Sequence, residues 1–364
     1  MTHNVLIIGT GVSGLSAALA LLQRGYALTL LDRSHVGGES SWAGGGILSP
    51  LLPWDYAEPV FTLALASMAA YPDWIKSLEL RSGLSTEYWT CGMKVLGSSE
   101  SETSLDWCRA QGLRATLTNE DLWLPDIAQV RNPRLIEALR VTVLKSGGTI
   151  HTGCEVTAIT AEGARLVQMQ TSRGTFSADR YVLATGAWSG TLLPAAESLH
   201  TQTDLVGSPN IRPIRGQMLL FKLEPGVLNT IVFRHGLYLI PRRDGHVLVG
   251  STLEDVGFDK STDMPTRERL HAVATELLPP LGSMQPIRHW SGLRPGSPDN
   301  IPIIDRHPDF DNVFVNTGHY RYGVTMAPAS AELLVDLMEG KTPALDPTPY
   351  SWQAALSRSW GDKL

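Results

Sequence analysis

The chain has 364 residues, 43% of them apolar and 18% charged, with a formal net charge of −6. That length buries a substantial core and suggests two lobes, and the acidic balance argues against a nucleic-acid footprint. Cys91, Cys108 and Cys154 stand far apart with no CxxC pair or metal spacing, so they read as structural thiols in a reducing compartment, and no metal is expected.

The opening MTHNVLIIG lacks a basic n-region and a small-residue cleavage site, so it does not read as a targeting segment. Within it VLII, residues 5–8, reads as a strand. Gly9-Thr-Gly11-Val-Ser-Gly14 follows, then the Ala- and Leu-rich helix LSAALALLQRG ending at Gly25, then the strand ALTLLD ending in Asp32. This is the order of a dinucleotide fold. Gly9 permits the tight turn, Gly11 lets a pyrophosphate approach the backbone, and Gly14 lets the helix pack on the sheet. The helix N-terminus supplies free N–H donors, and Asp32 can accept hydrogen bonds from ribose hydroxyls. The pattern alone does not separate FAD from NAD.

Next comes GGESSWAGGGIL, residues 37–48, which reads as a loop. Ser40 and Ser41 offer hydroxyls, and Gly44, Gly45 and Gly46 allow close approach to a flat ring. LSPLLPWDYAEPVF, residues 48–61, reads as part of a lid whose Trp54 and Tyr56 narrow an entrance. Residues 60–70 are apolar but shorter than a membrane span and read as a buried helix, with contact to a membrane surface as the minority reading. GTIHTGCEVTAI, residues 148–159, reads as strand, turn and strand, with a backbone amide near Val156 to meet an adenine. YVLATGAWSG, residues 181–190, is a strand ending at Gly186. It superficially suggests a nucleophile elbow, but its serine is in the fourth place instead of the third.

The run YLIPRRDGHVLVG, starting at Tyr238, reads as a hairpin with a DG turn. Arg242 and Arg243 flank that turn and are expected to be solvated. Glu254, Asp255 and Asp259 fall in a polar stretch expected at the surface. GHYRYGVTMAPAS, from 318, opens a helix after Gly323 and places Arg321 among small and apolar residues, where a full charge is expensive unless an anion meets it. PALDPTP, residues 343–349, looks like the end of compact structure.

These segments together resemble the D-amino-acid oxidase family of FAD enzymes, most closely its glycine oxidase branch associated with thiamine synthesis. The carrying residues are GTGVSG with Asp32, SSWAGGGIL, GLSTEYWTCGMKVL, QVRNPRLIEALR, YVLATGAW, YLIPRRDGHVLVGSTLEDVGFD, WSGLRPGSPDNIPII and GHYRYGVTMAP, in family order over nearly the whole chain. The fold implied is α/β with α+β character: a Rossmann-like FAD-binding domain at 1–82, 133–190 and 290–364, with an inserted antiparallel-sheet substrate domain at 83–132 and 191–289. Two positions depart from the pattern. Asp32 stands where flavin enzymes more often carry glutamate, and Tyr322 where glycine oxidases often have a smaller polar residue.

The resemblance implies non-covalent FAD held by Gly9, Gly11, Val12, Ser13 and Gly14, then by Asp32 and Arg33. Ser40, Ser41, Ala43, Gly44, Gly45 and Gly46 continue the set, followed by Val156, Gly186 and Trp188. Gly318, His319, Tyr320, Tyr322, Gly323, Val324 and Thr325 complete it. The catalytic residues implied are Tyr238, Arg294 and Arg321. Arg294, in GLRPGSPDN, is a rigid fork that matches a carboxylate bidentately, with the Tyr238 hydroxyl as a second contact. A substrate Cα–H aimed at flavin N5 needs no side-chain base, so His235, His289 and His319 are not assigned that role.

The expected reaction is oxidative deamination of glycine, sarcosine or small D-amino acids, with O2 or a quinone as acceptor. The expected protein is a cytoplasmic homo-oligomer, with membrane association on the cytoplasmic side as the lesser reading. A dehydrogenase on the same fold and a flavin sensor without substrate remain as alternatives.

Overall fold

The computed structural model describes residues 3–50, 52–97, 101–191 and 208–361. A six-stranded sheet runs in the order Ile303–Arg306, Val313–Thr317, Arg180–Leu183, Asn4–Ile8, Ala27–Leu31 and Thr149–His151. All neighbours are parallel except Ile303–Arg306, which runs antiparallel to Val313–Thr317. The short strands, mostly apolar at their centres, match a sheet covered on both faces.

Side-chain alternation divides that sheet cleanly. Val5, Ile7, Val182 and Phe314 pack with the helices Val12–Gln23, Glu58–Ser82, Asn132–Lys145 and Gly323–Glu339. Leu6, Ile8, Leu183, Val313 and Val315 face the opposite side, against the antiparallel meander Val156–Glu162, Arg165–Thr171 and Gly174–Phe176. The segment 60–70 lies within the helix Glu58–Ser82, and Val60, Leu63, Ala64 and Ser67 are buried, as the majority reading expected. No helix among the described residues is long and apolar enough to cross a membrane.

A second, eight-stranded sheet has the order Arg288–Gly296, Arg212–Lys222, His246–Gly250, Leu237–Pro241, Ile231–Arg234, Met93–Val95, Asp121–Leu124 and Thr116–Thr118. It is antiparallel apart from the pairing of Ile231–Arg234 with Met93–Val95. Arg288–Gly296 crosses the boundary expected at 290, because it pairs residue by residue with Arg212–Lys222. Here too the two-residue period sorts the faces. Leu237, Leu239, Val247 and Val249 pack under the helix Met264–Leu277, whereas Tyr238, Ile240, Met218 and Leu248 share the other face.

Two expectations need correcting. The Pro-rich tail does not end the compact structure: Tyr350 and Trp352 lie beyond it, 1% and 3% exposed in the two cores beside the first sheet. The polar stretch around 254–259 lies at the surface as expected, with Asp255 and Asp259 exposed, and its acids also tie it to the second sheet. Buried Arg215 donates to Glu254 at 2.7 Å and to Asp259 at 2.6 Å, and Gln217 donates to Glu254 at 3.1 Å. A buried guanidinium needs such partners. Finally, Ser40–Ala43 is a short helix instead of a loop. The three cysteines are free thiols, with Cys108 and Cys154 buried.

Candidate active site

One cavity of about 480 Å³ runs from the glycine turn to the face of the second sheet that carries Tyr238. Its geometry starts with the turn. Gly9 has φ +104°, and a Cβ there would sit 2.3 Å from the Ala184 carbonyl oxygen, so only glycine fits. A Cβ on Gly14 would lie 2.0 Å from the Gly9 carbonyl oxygen, which is the close helix packing expected of it. Gly14 therefore stands behind the cavity wall, while Gly9, Gly11, Val12 and Ser13 line it.

Two helices aim their first turns at this cavity, through Gly11, Val12 and Ser13 of one and Gly323, Val324 and Thr325 of the other. Each brings first-turn N–H groups that have no acceptor within the helix, and the positive end of its dipole. His319 links the two: Nδ1 lies 3.4 Å from Ser13 Oγ and Nε2 lies 3.0 Å from Ser330 Oγ. Burial lowers its pKa to about 4, so the ring is neutral. His235 and His289 do not line the cavity.

The serines and glycines of residues 40–46 serve somewhat differently from the expectation. Ser41 Oγ accepts from Val12 N at 2.9 Å, so it caps the glycine-turn helix. The glycines are demanded from behind: a Cβ on Gly45 would meet Ile240 Cδ1 at 2.4 Å, and one on Gly46 would meet the Val130 carbonyl at 2.1 Å. Ala43 lies outside the lining, with its carbonyl accepting from Trp290 Nε1 at 3.0 Å. Gly318 also stands one layer back, where its carbonyl accepts from Ser297 Oγ at 2.6 Å. The other expected contacts, Ser40, Val156, Gly186, Trp188, Tyr320 and Tyr322 among them, do line the cavity.

Asp32 lines it as well, but both carboxylate oxygens are already engaged. One accepts from Thr10 N at 2.9 Å and Thr10 Oγ1 at 2.6 Å, the other from Ser34 N at 2.9 Å and Ser34 Oγ at 3.2 Å. A carboxylate has about four lone-pair sites, so Asp32 braces the turn, and a ribose would compete for its oxygens. Beside it Arg33 lies over the Trp188 ring at 3.6 Å and pairs with Glu39, which also takes Lys260 at 3.2 Å.

Tyr238, Arg294 and Arg321 come together at the other end. Arg294 donates to Ser251 Oγ at 2.7 Å and to the Thr252 carbonyl at 3.1 Å. Among the described residues, neither arginine forms an ion pair with a carboxylate. Burial draws the Arg294 pKa down, and the charge of Arg321 works in the same direction. Arg321 is surrounded by Tyr56, Tyr238, Tyr320 and Tyr322. The lining acids Asp32, Glu39 and Glu155 belong to the region after the second strand, where Cys154 N donates to the Asp32 carbonyl. Two guanidinium groups without a counter-ion make a site for an anion. The expected entrance residues do not line the cavity. The Tyr56 hydroxyl instead bonds that of Tyr322, and Trp54 packs edge-on against Trp107.

Sequence reasoning missed three residues. Arg242, expected in solvent, is 5% exposed and donates to Gln129, to the Val130 carbonyl at 2.9 Å and to the Gly45 carbonyl at 2.8 Å. The alternation that buries Tyr238 and Ile240 reaches Arg242 next, and was the available signal. Asn132 and Asn316 line the cavity with buried amide atoms that have no partner, and nothing in the sequence marks them.

A glycine turn at a helix N-terminus, a long cavity that starts at that turn and a second sheet carrying an anion clamp define a dinucleotide-dependent oxidoreductase. Residues 4–337 match the DAO family, described as FAD dependent oxidoreductase, and the chain belongs to that family. It is 42% identical to a glycine oxidase of Pseudomonas aeruginosa, across 96% of this chain and 99% of that one. It is 38% identical to a glycine oxidase of Pseudomonas putida, across 98% of this chain and 100% of that one. Its fold matches the crystal structure of glycine oxidase from Geobacillus kaustophilus with a TM-score of 0.89 and 27% identity, covering 99% of this chain and 100% of that chain.

Proposed function

We propose that this chain is an amino-acid oxidase that oxidatively deaminates glycine, sarcosine or small D-amino acids, with O2 as the acceptor. The carrying observation is the unpaired arginine couple beside Tyr238. Arg294 clamps the substrate carboxylate, Tyr238 adds its hydroxyl, and Arg321 supplies a second positive charge. Among the described residues no lining carboxylate belongs to that end of the cavity, so a substrate amine there meets two guanidinium charges and no anion, which favours the neutral amine.

FAD, when bound, would supply the hydride acceptor for the substrate Cα–H and the route by which the electrons reach the acceptor. The protein's own task is positioning: the clamp fixes the carboxylate, and through it the direction of Cα–H. The imino acid that results reacts with water to give an oxo acid and ammonia, or a primary amine from an N-alkyl substrate. Neutral His319 is held between two serines and serves as a brace.

The cofactor would lie with its pyrophosphate at Gly11, Val12 and Ser13 and its adenosine near Val156 and Trp188. Its ring system would lie by Gly44, Gly45, Gly46 and Tyr322. It is held without a covalent bond, since Cys154, the cysteine that lines the cavity, sits at the adenosine end. The lobes follow the division given above, with Arg288–Gly296 counted with the substrate sheet.

Arg294→Ala tests the clamp. Truncating one partner of a buried charged pair costs about 2–5 kcal/mol, so kcat/KM for the preferred amino acid is expected to fall about thirtyfold or more. Near-normal kcat/KM in a variant that still holds FAD would mean that Arg294 is misassigned.

A further inference from the structure

Residues 254–263 leave the second sheet after the strand His246–Gly250 and lead into the helix Met264–Leu277. They are fastened to that sheet on both sides of Phe258. Buried Arg215 donates to Glu254 before it, and to Asp259 and the Ser261 carbonyl after it. The Lys260 carbonyl accepts from Ser291 Oγ at 2.6 Å, and Asp263 accepts from Gln217 Nε2 at 2.8 Å. Gly257, with φ +63°, turns the backbone just ahead of Phe258.

Between those anchors the segment reaches residues that follow strands of the first sheet. The Phe258 ring stacks on Trp188, with 5.4 Å between centroids and 27° between planes, and Lys260 Nζ meets Glu39 at 3.2 Å. Arg33 lies over the same Trp188 ring at 3.6 Å and pairs with Glu39 at 3.3 Å. Arg33, Glu39 and Trp188 all line the cavity, and all three keep accessible surface. Phe258 is 43% exposed and belongs to none of the four hydrophobic cores, so core packing does not account for its place.

We propose that this segment is a strap that retains the cofactor. Phe258 is a positioning residue that acts through Trp188, Lys260 fastens the same place through Glu39, and release of FAD requires the strap to lift. The inference rests on the reading of this cavity as the FAD site, with the adenosine near Trp188. A stack outside every core and a partly exposed ion pair add little to the stability of the fold. Their effect falls instead on how fast the cofactor leaves.

Holoenzyme would be diluted and the FAD appearing in ultrafiltrates followed over time, with the Tm of each apoprotein measured alongside. Phe258→Ala is expected to speed release about tenfold. Phe258→Tyr, which keeps the stack, should stay within about twofold of the wild type, and Lys260→Met should speed release about threefold. Each apoprotein Tm should lie within about 2 °C of the wild type. Release from Phe258→Ala at the wild-type rate overturns the proposal, as does equally fast release from Phe258→Tyr. A larger fall in apoprotein Tm overturns it too, since Phe258 would then belong to the fold and not to cofactor retention. Lys260→Met is read by the same criteria if the alanine variant does not fold. Wild-type protein that does not hold FAD would sink the reading of the cavity itself, and the proposal with it.

Discussion

A Cβ on Gly216 would lie 2.2 Å from both terminal nitrogens of Arg294. The guanidinium occupies the space that any side chain at 216 needs, and Ser251 and Thr252 fix it there. Gly216→Ala should therefore push the fork off its bearing without touching the cofactor end. A displacement on the order of 1 Å costs about a hundredfold in rate, so kcat/KM should fall by roughly that factor while the purified protein stays yellow. Unchanged kinetics would show that the fork has room to spare. Arg294 itself was legible, because glycine and proline surround it and few residues suit a carboxylate so well. Gly216 was not, since its role depends on a neighbour 78 positions away on the adjacent strand. Asn132 and Asn316 were equally silent, because one amide in an apolar run carries no periodic signal.

Elements are held to one another by few, strong ties, and Arg242 is one of them. It sits past the end of the strand Leu237–Pro241 and reaches the carbonyls of Gly45 and Val130 and the Gln129 amide oxygen. That joins the Tyr238 hairpin to the glycine-rich segment beside the cavity. Arg242→Ala would leave these acceptors without a donor, at a cost of about 2–4 kcal/mol. The urea midpoint should fall accordingly, and a midpoint within error of the wild type would return Arg242 to the solvated role its DG turn first suggested. The hairpin was readable from its turn and its alternation. The burial of Arg242 required following that alternation one residue beyond Pro241. Asp32 teaches a related lesson: its place after the second strand was legible, but its four local donors were not, because Thr10 and Ser34 are ordinary turn residues in sequence.

At the level of the whole molecule, two buried imidazoles set an acid limit. Burial lowers His307 and His319 to about 4, against about 6.5 in an unfolded chain. Asp309, 3.9 Å from His307, is the nearby acid, and its backbone N–H donates to the His307 ring at 3.2 Å, which suits the neutral form. Between pH 6.5 and 4 the unfolded chain binds more protons than the folded one. Stability is thus full above pH 6.5 and is lost as pH falls toward 4, by roughly 2 kcal/mol for each histidine at pH 5. Urea unfolding at pH 5 and pH 8 should show this loss, and His307→Asn should reduce it; a flat profile would contradict it.

The Rossmann-like first sheet and the antiparallel second sheet followed from segment order and family resemblance. The packed tail did not, because its prolines look like a terminus while Tyr350 and Trp352 find the two cores only through tertiary contact. The central claim, amino-acid oxidation at an arginine clamp beside FAD, is tested most directly by anaerobic titration of the yellow protein with glycine, sarcosine, D-alanine and D-proline, followed by admission of air. Bleaching of the flavin band by at least one of them, with rapid return of colour in air, is the expected result. A flavin band that none of them bleaches would contradict the claim.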